Sequence, residues 1–130
     1  MITAIYAAPL ALLVVWLSLR VVKLRRAKKV RLGDAGDSEL QGAIRAQANA
    51  IEYIPLSLIL LALLEMSGGH PVLLHAGGVA VVAGRTLHAR GLLTDALGAR
   101  VLGMQLTLFA IIGLALACLA YAGYSFLEQG

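Results

Sequence analysis

The chain of 130 residues is 60% hydrophobic and only 14% charged, against roughly 45–50% apolar and about 25% charged in an average soluble domain. Its mean hydropathy of +0.86 excludes a soluble globular enzyme, because one globule this small cannot bury so much apolar surface without lipid or partner subunits to cover it. Lys and Arg number 11 against 7 Asp and Glu, a net charge of +4. Seven of the 11 lie between Arg20 and Arg31 directly after an apolar run, where anionic headgroups and membrane orientation explain them and nucleic acid does not.

Ile2 to Leu19 is an uncharged run of 18 residues, enough with its flanks to cross a hydrocarbon core of roughly 30 Å. Its basic cluster follows the apolar run, whereas a cleaved signal peptide carries its charge before it, so a retained first helix over about 2–24 is expected. Gly33-Asp34-Ala35-Gly36-Asp37 is a turn-forming cluster. Ser38 and Gln41 have capping-box spacing, which predicts a second helix over about 39–66. Ser67-Gly68-Gly69-His70-Pro71 makes a tight connection, and Pro71 suits the first turn of a third helix over about 71–91. Thr94 to Ala99 reads as the last loop. Val101 to Leu127 gives 27 consecutive uncharged residues, and the fourth helix is placed at about 100–127. The whole of 1–130 is thus one transmembrane domain of all-α class, an integral membrane four-helix bundle. Lys and Arg are concentrated in the first connection and flank the third as Arg90 and Arg100, which puts both connections in the cytoplasm and both termini on the far side. Trp16, Tyr121 and Tyr124 fit interfacial anchoring.

Polar residues inside the spans carry the functional signal. Arg45, Asn49 and Glu52 stand at spacings of four and three, within about 60° of one another on one helical stripe. Arg85 and His88 stand three apart on the third helix at a similar depth. A charge in a span costs roughly 2.5–3.5 kcal/mol on insertion scales, so these groups should turn toward a partner or a wet cavity. Two antiparallel helices would bring all five around one pocket. In one reading Glu52 pairs with Arg45 or Arg85 and locks the helices together. Against it, two arginines and a histidine face one carboxylate and one amide, the surplus that a small peptide-like anion requires. Arg100 either adds a cation at the same mouth or snorkels to the interface.

These residues resemble a known family. Arg45-Ala46-Gln47-Ala48-Asn49-Ala50-Ile51-Glu52-Tyr53-Ile54-Pro55 is similar to the second-helix motif of the membrane-associated proteins in eicosanoid and glutathione metabolism, the MAPEG family. Gly84-Arg85-Thr86-Leu87-His88-Ala89 is similar to its third-helix motif, and the basic stretch from Arg20 to Gly33 looks like the bacterial branch. The resemblance implies a homotrimer in the bacterial inner membrane, with glutathione bound between subunits near the cytoplasmic side. It further implies that Arg45, Asn49, Glu52, Arg85 and His88 contact glutathione and that Arg100 stabilises its thiolate. The function implied is a glutathione-dependent transferase or peroxidase acting on lipophilic electrophiles or hydroperoxides that arrive along grooves of the first and fourth helices. Leu92 and Gln47 stand where some members carry Tyr and His, which argues against eicosanoid-specific chemistry. The alternative class is a non-catalytic small membrane protein or a transporter using Glu52, although Arg45 and Arg85 would hold that carboxylate ionised.

Remaining signals read as structural. Cys118 in the fourth span acts as a small hydrophobe, and His70 and His75 are too few for a metal site. Asp34 and Asp37 suit turn and cap roles, not a calcium loop. Pro55 should kink the second helix and free the Ile51 carbonyl. Ala80 with Gly84, and Gly113 with Ala117, have spacing suited to close helix packing.

Overall fold

The computed structural model describes residues 1–128, which form α1 (Ile2–Lys28), α2 (Ser38–Met66), α3 (Pro71–Leu93) and α4 (Leu97–Glu128). All four helices are long and apolar enough to cross a membrane. α1 outruns its apolar segment because Arg25, Arg26 and Lys28 in the last turn favour the negative end of the helix dipole. Arg25 also donates to the Gly33 carbonyl at 2.8 Å, and Lys29 closes the helix in the left-handed conformation, φ 55°.

α2 begins one residue before the expected start, and its cap is Asp37 where Ser38 was expected. The Asp37 carboxylate accepts from the Leu40 amide at 2.8 Å and also meets the Lys28 ammonium at 2.8 Å. A hydroxyl could do the first but could not pair with the charge. α3 starts behind His70, whose Nδ1 accepts from the Val72 amide, with Pro71 in the first turn. The last connection is only Thr94–Ala96: Asp95 takes φ 53°, the Ala96 amide donates to the Gly91 carbonyl, and α4 absorbs the rest of the expected loop. Arg100 therefore lies in the first turn of α4, its amide bonded to the Ala96 carbonyl.

α2 and α3 pack together, and α1 and α4 each pack against both; among the described residues no close backbone approach joins α1 to α4. Leu10, Leu17, Ala46, Ala50, Ile54 and Val81 form the centre of one apolar core. A second lies toward the α2–α3 turn, around Tyr6, Leu61, Leu64, Leu74 and Leu114. α3 and α4 approach most closely at Gly84 and Gly103: a methyl group on Gly84 would lie 2.6 Å from the Thr107 hydroxyl and 2.9 Å from the Gly103 carbonyl. Gly84 thus packs as its spacing suggests. Gly113 does not, since a side chain there would meet nothing within 4 Å.

Candidate functional site

The connections α1–α2 and α3–α4 share one end of the bundle, the end that holds the basic cluster. There a cavity of about 670 Å³ opens between the start of α2, the end of α3 and the start of α4. Arg45 and Arg100 line it together, with Glu39 and Asp95 on the same wall.

Arg85 lies elsewhere, in the α3–α4 interface. It is 2% exposed. Its Nε donates to the Thr107 hydroxyl at 2.8 Å, and that hydroxyl in turn donates to the Gly103 carbonyl at 2.9 Å. The guanidinium carbon lies 5.0 Å from the centre of the Tyr53 ring, a cation–π contact from α2 that is strongest away from water. No carboxylate neutralises Arg85 among the described residues, where the ion pairs join Lys28 to Asp37 and to Glu39.

His88 is one turn further along α3 and is also buried. Its Nδ1 lies 2.9 Å from the Arg100 carbonyl. A carbonyl only accepts, so Nδ1–H is the donor and the neutral ring keeps its lone pair on Nε2. Nε2 is buried without a partner among the described residues. Through this bond α3 fixes the backbone of Arg100 at the cavity wall.

The expectation of five side chains around one pocket is corrected at the level of the protomer. Arg45 faces the cavity, whereas Arg85 and His88 are enclosed between α3 and α4. Asn49 is buried, with its amide donating to the Arg45 carbonyl of its own helix at 3.1 Å. Glu52 is exposed and lines no cavity with them. Arg45 and Glu52 belong instead to an outward stripe of α2 that continues through Leu56, Ile59 and Leu63, all exposed. The expected pairing of Glu52 with Arg45 or Arg85 is absent within the protomer. The reason is geometric: a helical stripe says which residues point one way, and beyond Arg45, which borders the cavity, this one is exposed at Glu52, Leu56, Ile59 and Leu63. The expected groove along α1 and α4 likewise has no shared backbone interface within the protomer among the described residues.

Thr107, Tyr53 and Met104 hold Arg85, and no motif in the sequence marks them for that role. A hydroxyl within the apolar α4 is the available signal for Thr107. Among the described residues no group of three His, Cys, Asp or Glu side chains could hold a metal ion.

The MAPEG family model matches residues 3–120. Inner membrane protein YecN, in two strains of Escherichia coli, is 40% identical to the chain over 121 residues, covering 93% of this chain and 92% of the relative.

Proposed function

The chain belongs to the MAPEG family, and from that premise we propose that it is a glutathione-dependent membrane enzyme, a transferase or peroxidase acting on lipophilic electrophiles or hydroperoxides. The observation that carries the reading is a set of guanidinium groups left outside ion pairs: Arg45, Arg85 and Arg100 form no salt bridge among the described residues, and Arg45 and Arg100 line one cavity with Glu39 and Asp95. A tripeptide with two carboxylates and an ammonium group fits a wall that offers guanidinium groups beside Glu39 and Asp95.

In this reading Arg45, Asn49, Glu52, Arg85 and His88 hold the tripeptide. Glutathione supplies the nucleophilic sulfur. Arg100 holds the thiolate: an ordinary thiol with pKa about 8.5 is only a few per cent ionised at pH 7, and a guanidinium beside it raises the reactive fraction roughly tenfold or more. A homotrimer brings the missing cover, because the outward stripe of α2 would otherwise leave Glu52 facing lipid at roughly 2.5–3.5 kcal/mol. In this reading the cavity lies on the cytoplasmic side of an inner membrane, the setting named for the relative, with both termini opposite; the concentration of Lys and Arg in the first connection supports that orientation.

Calorimetry of glutathione binding to the detergent-solubilised protein tests the ligand, and mass measurement in detergent tests the assembly. Binding with a trimeric mass is expected; no binding defeats the reading. Arg100→Ala should spare most of the affinity and move the thiolate titration to higher pH. Labelling of Ala35→Cys and Ser67→Cys variants from each side checks orientation, with only the former accessible from the cytoplasm. One observation favours a second reading: Glu52 is unpaired within the protomer, as a titrating transporter carboxylate would be. Proton-coupled transport lost in Glu52→Gln, with no glutathione binding by the parent, would decide for it.

A further inference from the structure

The flank between α1 and α3 lies away from the outward stripe of α2 and carries two hollows that the proposed chemistry does not use. One, of about 280 Å³, is lined by Leu13, Trp16, Arg20, Ala89 and Arg90 among others. The other, of about 470 Å³, is lined by Ile5, Pro9, Val79, Val82 and Ala83 among others. Thr86 lines both, so they adjoin end to end as a trough along the span, narrowed at Thr86. From Val79 to Arg90 it follows α3 for about 17 Å at 1.5 Å per residue. That is close to the half-thickness of a hydrocarbon core of roughly 30 Å.

The two ends of the trough differ in chemistry. Its length is walled mostly by aliphatic side chains, with Tyr6 and Thr86 among them, whereas its head at the basic end holds two guanidinium groups and no carboxylate among the lining residues. The Arg20 guanidinium lies 5.8 Å from the centre of the Trp16 ring. Arg20 Nε is buried without a partner among the described residues, a donor whose desolvation no protein group offsets. Phosphate oxygens offset it well, because guanidinium binds phosphate in a fork. The long apolar floor below the two cations matches an acyl chain, and a free phosphate ion would leave it empty.

We propose that the α1–α3 trough binds one anionic phospholipid from the leaflet at the basic end, its phosphate between Arg20 and Arg90 and one acyl chain along the groove past Thr86. The site recognises net negative charge, because a zwitterionic headgroup brings an ammonium to a hollow that already holds two cations.

Trp16 is the single tryptophan of the chain and lines the head of the trough, so its fluorescence reports the occupant. The full-length protein is reconstituted in phosphatidylcholine vesicles doped with brominated phosphatidylglycerol or with brominated phosphatidylcholine. Each quenching curve is normalised to the same protein in unbrominated vesicles. The expected result is half-maximal quenching at an anionic-lipid fraction about fivefold lower or more, as one or two cations near a headgroup allow. Arg20→Gln with Arg90→Gln should bring the two curves together. Lys23→Gln with Arg26→Gln, exposed on the same basic flank but outside the trough, should leave them apart. Equal curves for the parent overturn the proposal. So does loss of preference in the Lys23 and Arg26 variant, which would mean diffuse attraction to the basic flank. Relief of quenching by inorganic phosphate would mean a free-anion site and overturn it as well. Quenching by neither lipid would do the same, since a neighbouring subunit would then fill the trough.

Discussion

At the end of the bundle that holds the α2–α3 turn, most polar side chains satisfy one another and the backbone, though Thr3 Oγ1 is buried without a partner among the described residues. Glu65 accepts from the first amides of α1, Ile2 at 2.6 Å and Thr3 at 2.8 Å. The Tyr6 hydroxyl lies 2.6 Å from His75 Nδ1, and the Tyr121 hydroxyl accepts from the His70 amide at 2.9 Å. At the basic end Arg85 is held by one hydroxyl, one thioether and one aromatic face, with its charge unneutralised, and His88 keeps a buried nitrogen without a partner. Both ends place polar groups where lipid surrounds the protein. One end ties most of its polar groups to one another, Thr3 Oγ1 excepted; the other leaves the Arg85 charge unneutralised and His88 Nε2 without a partner among the described residues. Substitutions at the α2–α3 end should therefore change stability and spare binding, and those of the basic end's arginines should change binding, while the groups that hold those arginines or cap the helices there should act on stability.

The largest expected effect comes from Arg45→Ala combined with Arg85→Ala. Losing a contact to a charged group costs about 1.5–3 kcal/mol, so each change should weaken glutathione binding by roughly ten- to hundredfold, and the pair should abolish it in calorimetry. The double variant should still assemble, because replacing an uncompensated buried charge with an apolar group is often neutral or stabilising. An oligomer that binds like the parent would make the cluster structural and erase the contrast between the ends.

Thr107→Val comes next. It leaves the Arg85 Nε–H without an acceptor in the α3–α4 interface, at about 1–3 kcal/mol of stability, and lowers the melting temperature in detergent. Adding Arg85→Met to Thr107→Val should restore most of that loss, since the orphaned donor is gone. No recovery in the double variant would mean that the hydroxyl serves α4 alone, through its bond to the Gly103 carbonyl.

Apolar runs of 18 and 27 residues make the first and last helices legible in the sequence, and the Gly and Pro clusters mark the turns between them. Less legible is what each helix faces. The period of 3.6 residues places Arg45, Asn49 and Glu52 on one stripe, but it carries no information about which neighbour that stripe meets. At Arg45 it borders the cavity shared with α3 and α4, and at Glu52 it is exposed. Tyr53 gives no signal of its own because it is next to Glu52 in sequence, about 100° around the helix, and its partner Arg85 is on another element. The start of α4 is obscured for a different reason. Asp95 in a left-handed conformation closes the turn in three residues, an option open to Asp that composition does not announce.

Tyr6→Phe should have a smaller effect, confined to stability. It removes the bond to His75 while keeping the ring that lies against Gly78, so about 0.5–1.5 kcal/mol is expected. A modest drop in melting temperature with unchanged glutathione affinity would sharpen the contrast; a weakened affinity would show that the ends are coupled.

The smallest expected effect separates the basic end's own scaffold from its site. Asp37 lies in the α1–α2 connection, where hydrogen bonding from the Lys28 ammonium, and then from the Leu40 amide, holds its carboxyl below the usual carboxylate range. A carboxyl depressed on folding contributes stability that is fully present above its unfolded pKa, about 3.9. The contribution is lost as pH falls through the lower folded value. At neutral pH, Asp37→Asn should thus melt slightly below the parent. The gap stays small because Asn caps helices nearly as well, leaving only the charge on Lys28 and on the start of α2. The gap should close progressively below about pH 4 and shrink in high salt, where exposed pairs are screened. Glutathione binding should not follow it, since Asp37 is not among the residues lining the cavity. A gap that persists in acid would assign the effect to side-chain shape rather than charge. A gap that tracks binding would place this connection inside the site.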